Sequence, residues 1–205
     1  MKLGMIDYGR GNLRSVINAC RALGHDPTLV TTPEGLDGLT HLIFPGQGAF
    51  GDCMDSLNRL GLADPLRGWI EGGKPYFGIC VGFQLLFESS EECPGTDGLG
   101  VFKGHVKRFT SYDIKIPHMG WNAVDLKKPS SPYWEGFEGE PYFYFVHSYY
   151  PGGVDPDVIT ATCTYGQETF CAGIERGALL AVQYHPEKSQ HAGLQLLRNF
   201  LETQS

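Results

Sequence analysis

A chain of 205 residues, 41% of them hydrophobic, is long enough to bury a sizeable core and does not demand a second domain. Its net charge of -7 comes from 16 basic and 23 acidic residues, with no run of Lys or Arg that would make an electrostatic footprint for nucleic acid. No apolar run approaches membrane-spanning length, Asp7 interrupts the first residues too soon for a secretory leader, and neither the six cysteines nor the seven histidines show metal-ligand spacing. The expectation is a cytoplasmic protein with reduced thiols, no structural metal and no membrane contact.

Leu3–Ile6 reads as a strand and residues 13–23 as a helix, with Leu13, Val16, Ile17, Cys20 and Leu23 on one stripe. Gly9 and Gly11 between them invite a dinucleotide-binding turn, but Arg14 stands where the third glycine would be, which leaves a tight functional turn. Residues 28–31 and 41–44 are further short strands, the second running into the glycine-rich turn Pro45-Gly46-Gln47-Gly48. Helices over 52–60 and 64–70 lead back to a strand ending near Cys80. Alternating strands and helices predict a mainly parallel sheet with both faces covered. The second half is richer in strands, at 104–109, 121–126, 142–146, 158–164, 170–175 and 179–183, several of them able to pair antiparallel across turns such as Arg176-Gly177. A helix over 192–201 closes the chain, with Leu194, Leu197 and Phe200 toward the sheet.

The stretch over residues 74–88 reads as strand, sharp turn and helix, with Cys80 at the reversal and glycines two before and two after it. A side chain thrust out of a strained strand-to-helix turn needs neighbours without a Cβ, which is the steric logic of the nucleophile elbow. The N-terminus of the following helix would favour a thiolate. The competing reading is a cysteine merely buried between packing glycines. A thiol nucleophile needs a base, and the base needs something to orient it. In Gln183-Tyr184-His185-Pro186-Glu187, residues two apart project to the same side, so His185 and Glu187 can face one site at the end of a strand. The bland alternative is an exposed His and Glu at a strand end. An oxyanion hole has two available sources: the Val81 N–H, just after the thiol, and an N–H of the Gly46-Gln47 turn. Together these parts describe acyl transfer through a thioester.

Six blocks then resemble one family: residues 7–13, 45–50, 78–84, 117–122, 144–149 and 184–189. They are similar to the class I, triad-type glutamine amidotransferases, and Pro117-His118-Met119-Gly120-Trp121-Asn122 specifically resembles the glutaminase subunits of imidazole glycerol phosphate synthase, from histidine biosynthesis. The resemblance spans nearly the whole chain. It implies one domain over residues 1–205 with a flavodoxin-like α/β fold: a mainly parallel central sheet covered by helices, plus an antiparallel β portion in the second half. It further implies that Cys80 attacks the side-chain amide of L-glutamine, with His185 as acid and base and Glu187 orienting it. Gln84 and Glu92 would hold the amino-acid end, helped by backbone at His147 and Ser148. No cofactor is implied. The partner would be a (β/α)8 cyclase that receives ammonia through an internal tunnel and forms imidazole glycerol phosphate and AICAR. Trp121 resembles the interface anchor, with Met119, Gly11, Asn12 and Lys188 beside it.

Two departures from the family pattern stand out. Gln47 replaces the usual Val in the turn that must reorient to supply the second oxyanion donor, and Val81 and Phe83 replace Leu and Met after the nucleophile, apolar swaps expected to change packing only. Three other functions stay open at this point. One is a paralogous amidotransferase feeding a surface-glycan synthase. The others are an elbow-cysteine redox sensor or chaperone with no need of His185 and Glu187, and a plain binding scaffold.

Overall fold

The computed structural model describes residues 1–9, 12–110, 112 and 114–203. In chain order the elements are β1 (Leu3–Ile6), α1 (Leu13–Ala22), β2 (Thr28–Val30), β3 (His41–Gly46), α2 (Phe50–Arg59), α3 (Ala63–Glu71), β4 (Tyr76–Cys80) and the single turn α4 (Val81–Gln84). There follow β5 (Ser89–Ser90), β6 (His105–Arg108), β7 (His118–Ala123), β8 (Asp125–Leu126), β9 (Tyr142–His147), β10 (Tyr149–Gly152), β11 (Ile159–Tyr165), β12 (Glu168–Arg176), β13 (Leu179–Val182) and α5 (Gln190–Glu202). The main sheet has eight strands in the order β2-β1-β3-β4-β13-β12-β11-β8. From β2 to β13 all pairings are parallel, and from β13 outward all are antiparallel. Counting the parallel strands in chain order gives 2-1-3-4-5, the flavodoxin-like order in which ligands sit beyond the carboxyl ends of the strands.

Burial follows the sequence pattern strand by strand. Every residue of β1, β3, β4 and β13 is buried, as continuous apolar runs in a doubly covered sheet require. β9 instead alternates between buried and solvent-facing residues, because it belongs to a small two-stranded sheet with β7 that has one wet face. The closing helix lays Leu196, Leu197 and Phe200 into the core, with the Phe200 ring 5.1 Å from that of Phe77, whereas Leu194 is only partly buried. No helix among the described residues is long and apolar enough to cross a membrane.

Three sequence expectations are corrected. The helix after Cys80 stops at Gln84 instead of running on, because the carbonyls of Leu85, Leu86 and Phe87 accept hydrogen bonds from Leu99, Phe102 and Gly100 of a distant loop, at 2.7, 3.0 and 3.2 Å. Residues 121–126 are not one strand: the chain breaks at buried Val124, whose N–H donates to Pro141, so that β7 and β8 lie in different sheets. Finally, α2 starts at Phe50, two residues early, because the Glu92 carboxylate accepts the Phe50 N–H at 2.8 Å and satisfies a helix N-terminus.

The elbow is as tight as its glycines promise. Cys80 has φ 55 and ψ -106, a left-handed backbone that L residues avoid. A Cβ on Gly78 would lie 2.7 Å from the Gly82 carbonyl, one on Gly46 would lie 2.7 Å from both Gly82 N and Val81 Cβ, and one on Gly82 would run into the Phe44 carbonyl. The atoms met are backbone atoms and one Cβ, which no side-chain rotation moves. Gly82→Ala is therefore expected to lower stability by about 1–3 kcal/mol, the usual cost of overpacking. A denaturant midpoint equal to wild type would show that the turn has slack.

Candidate active site

Three neighbouring parallel strands deliver the predicted residues to one place. Gly46 at the end of β3 lies opposite Cys80 at the end of β4, and Val182 of β13 lies opposite Ile79, so Gln183 continues level with the thiol and His185 follows two residues on. The ends open on a cavity of about 390 Å³ whose lining includes Cys80, Val81, Gln47, Gln84, Glu92 and His185. His147, Ser148 and Lys188 also line it.

His185 is held from every side but one. Its backbone N–H donates to Tyr144 at 2.9 Å, and the Ser189 hydroxyl donates to its carbonyl at 2.6 Å while accepting the Tyr144 N–H. Ring Nδ1 lies 2.8 Å from Glu187 Oε1, with both side chains almost wholly buried, at 2% and 3% exposure. Nε2 is buried without a hydrogen-bond partner, leaving it for the Cys80 sulfur. Burial alone would discourage charge on the ring, but the Cys80 sulfur and then the Glu187 carboxylate outweigh it and raise the imidazole from 6.5 to about 10. Both neighbours stabilise the protonated ring, so the imidazole is suited to take up a proton at Nε2 and hold it.

The other predicted residues are placed with new detail. Val81 opens α4, so its N–H is among those a helix leaves without an internal acceptor, and the residue lines the cavity. The Gln47 N–H is differently disposed: it donates to the buried Tyr8 hydroxyl at 3.1 Å, and that hydroxyl lies 3.2 Å from the Gln47 carbonyl. In this conformation the second expected oxyanion donor is turned to Tyr8. Both hydrogens of the Gln84 amide are used within the protein, on Tyr149 O at 2.9 Å and Gln183 Oε1 at 3.1 Å, which leaves Oε1 for a ligand. One oxygen of Glu92 caps α2 and the other is left to meet a cation. His147 is kept neutral by burial, which lowers it to about 3.

Of the residues expected at a partner surface, Lys188 lines the cavity. Trp121 and Met119 project from β7 with 46% and 62% exposure, so Trp121 is not a core tryptophan. Trp121 pairs across the strands with Tyr144, over whose ring Lys188 Nζ lies at 5.9 Å, and Met119 pairs with Val146 of the cavity lining. Asn12 is exposed ahead of α1, its amide donating to Ser15 Oγ at 2.9 Å. Gly11 lies outside the described residues.

A family model described as glutamine amidotransferase class-I matches residues 4–203. The chain belongs to the class-I glutamine amidotransferase family. Within it, the chain is 45% identical to the imidazole glycerol phosphate synthase subunit HisH of Synechococcus sp. (strain JA-3-3Ab), over 98% of this chain and 94% of that one. It is 48% identical, over 96% of its length, to imidazole glycerol phosphate synthase hisHF, chloroplastic, of Arabidopsis thaliana, of which it covers 33%. Among solved structures, one of a glutamine amidotransferase superposes with a TM-score of 0.77 at 24% identity over 98% of both chains, a likeness in fold.

Two amidotransferase residues escaped the sequence reading. Tyr8 lies 39 positions before Gln47, and Gln183, two before His185, is fully buried with its side-chain nitrogen 3.7 Å from the Cys80 sulfur. Only the alternation of side chains along the last strand could have pointed to Gln183. The His185 ring supplies a test of the electrostatics. Replacing Glu187 by Gln removes a buried negative charge, so the imidazole should titrate at lower pH than in wild type, read from its ring resonances by NMR. An unchanged midpoint would mean that Glu187 does not set the ring's charge.

Proposed function

We propose that residues 1–205 form one domain, the glutaminase subunit of imidazole glycerol phosphate synthase, which hydrolyses glutamine and passes ammonia to a (β/α)8 cyclase in the cytoplasm. The observation that carries this reading is the thiol on a left-handed elbow facing an imidazole whose other nitrogen is held by a buried carboxylate. A redox sensor or scaffold has no use for such a pair. Family membership and the relatives' names support the substrate, and the plant relative supports the partner: it carries the matched segment as one third of a longer chain, leaving room for a second catalytic unit.

Glutamine enters the cavity with its α-ammonium toward Glu92 and Gln84 Oε1, which places the side-chain amide over Cys80. His185 takes the thiol proton as sulfur attacks the amide carbon. The oxyanion forms beside the Val81 N–H. His185 then protonates the leaving nitrogen, ammonia departs, and the glutamyl group stays on sulfur as a thioester. Water, deprotonated by the same imidazole, attacks the thioester, and glutamate leaves as the thiol regains its proton. While Gln47 donates to Tyr8 the oxyanion lacks its second donor, a deficit worth on the order of 3–4 kcal/mol. This supports a subunit that is slow alone and is activated when the turn reorients in the complex.

A glutaminase assay with and without the cyclase and its ligand tests the reading. Hydrolysis should rise by at least about a hundredfold in the complex. It should vanish in Cys80→Ala and His185→Ala, while equal rates with and without partner, or full activity in either variant, would overturn it. The partner surface has its own test. Trp121→Ala should weaken cyclase binding by roughly thirtyfold or more, as for an interface anchor, in a calorimetric titration. Unchanged affinity would move the interface away from β7.

A further inference from the structure

The contact between Gln183 and Cys80 is set by a hydrogen-bond chain whose direction is forced. An amide side chain can present either its oxygen or its nitrogen, and the choice is made by its partners. Tyr149 O is a carbonyl and only accepts. The Gln84 atom 2.9 Å from it must therefore be the nitrogen, and that nitrogen also reaches Gln183, 3.1 Å away. The atom it meets there must be the Gln183 oxygen. The Gln183 nitrogen is thereby turned to the sulfur, at 3.7 Å. Tyr149 O is itself fixed, because its second lone pair takes the Nδ1 hydrogen of His147 at 2.9 Å. That leaves His147 Nε2 as an acceptor, 3.1 Å from His118 Nδ1. The chain is closed at its far end by the Asn122 amide, 3.4 Å from His118 Nε2. Burial keeps both rings neutral, lowering His147 to about 3 and His118 to about 4, so the direction holds near neutral pH.

We propose that Gln183 donates an N–H to the Cys80 sulfur and holds it for attack, with Gln84 as the positioning residue that decides which end of the Gln183 amide faces the thiol. A sulfur that accepts from Gln183 on one side has its own hydrogen directed elsewhere, and the unpartnered Nε2 of His185 is the acceptor left for it. Once the proton has moved, the same N–H faces a thiolate, and a hydrogen bond to a charged group is the stronger kind. The donor thus favours the reactive state more than the resting one. In the glutaminase step this inference rests on the function proposed above, but the sulfur's reactivity does not.

The test compares Gln183→Met, which keeps the bulk and removes the donor, with Gln183→Glu, which keeps the shape and presents an acceptor to the sulfur. In the complex with the cyclase, glutamine kcat should fall about tenfold or more in Gln183→Met and further in Gln183→Glu, with KM within about threefold of wild type. Alkylation of Cys80 by iodoacetamide, counted by mass spectrometry in wild type and variants at one pH, should slow in the same order. A purely structural role would affect both variants alike or raise KM. Wild-type alkylation and kcat in Gln183→Glu would overturn the proposal, and this isosteric variant decides the matter if Gln183→Met melts. If the wild-type complex hydrolyses no glutamine, the functional reading fails while the alkylation order still judges Gln183.

Discussion

At φ 55 and ψ -106, the backbone of Cys80 sits where a non-glycine residue costs on the order of 1–3 kcal/mol, and the surroundings hold it there. The Tyr76 hydroxyl donates to the Gly82 carbonyl at 2.9 Å, Gly82 presses against the Phe44 carbonyl, and Gly46 allows the end of β3 to meet the start of α4. Each contact joins the elbow to a strand on one side or to its own helix on the other. The strain is therefore tied to the register of the parallel sheet. A slip of β3 against β4 would release the turn and a slip of β13 would separate the thiol from His185, so the nucleophile's pose and the site's assembly both depend on the register of β4.

Burial acts in opposite directions on the histidines of this small region. His147 and His118 are desolvated among aromatic rings and hydrogen-bond to each other, which suits neutral imidazoles that donate from one nitrogen and accept at the other. His185 is as deeply buried but faces Glu187 and Cys80, and the balance reverses toward the cation. Depth alone does not set protonation here; the sign of the nearest charge does.

Much of this was legible from residue order. The fully buried strands announced themselves as unbroken apolar runs, the elbow by its paired glycines, and His185 with Glu187 by a spacing that places both on one side. What escaped depends on partners set by tertiary register. Nothing near residue 84 signals that α4 must end there, since the groups that intercept its carbonyls come from residues 99–102. Glu92 reaches back 42 positions to cap α2, and Gln183 reaches across 103 to the thiol. The Gln47 turn was correctly marked as a bend near the site, but the direction of its N–H depends on Tyr8, and a glycine-rich motif is silent on orientation.

The main sheet also carries a timing problem. β4 is complete at Cys80, yet the strand that pairs with its open side begins at Leu179. With ribosomes adding about 5–20 residues per second, the central strand waits roughly 5–20 s with one row of backbone donors and acceptors uncovered. The antiparallel strands made in that interval can pair with one another but have no place beside β4 until β13 arrives between them. During synthesis the nascent chain thus presents a sticky edge with an unactivated thiol at its tip, and the last strand made both seals the edge and brings the imidazole.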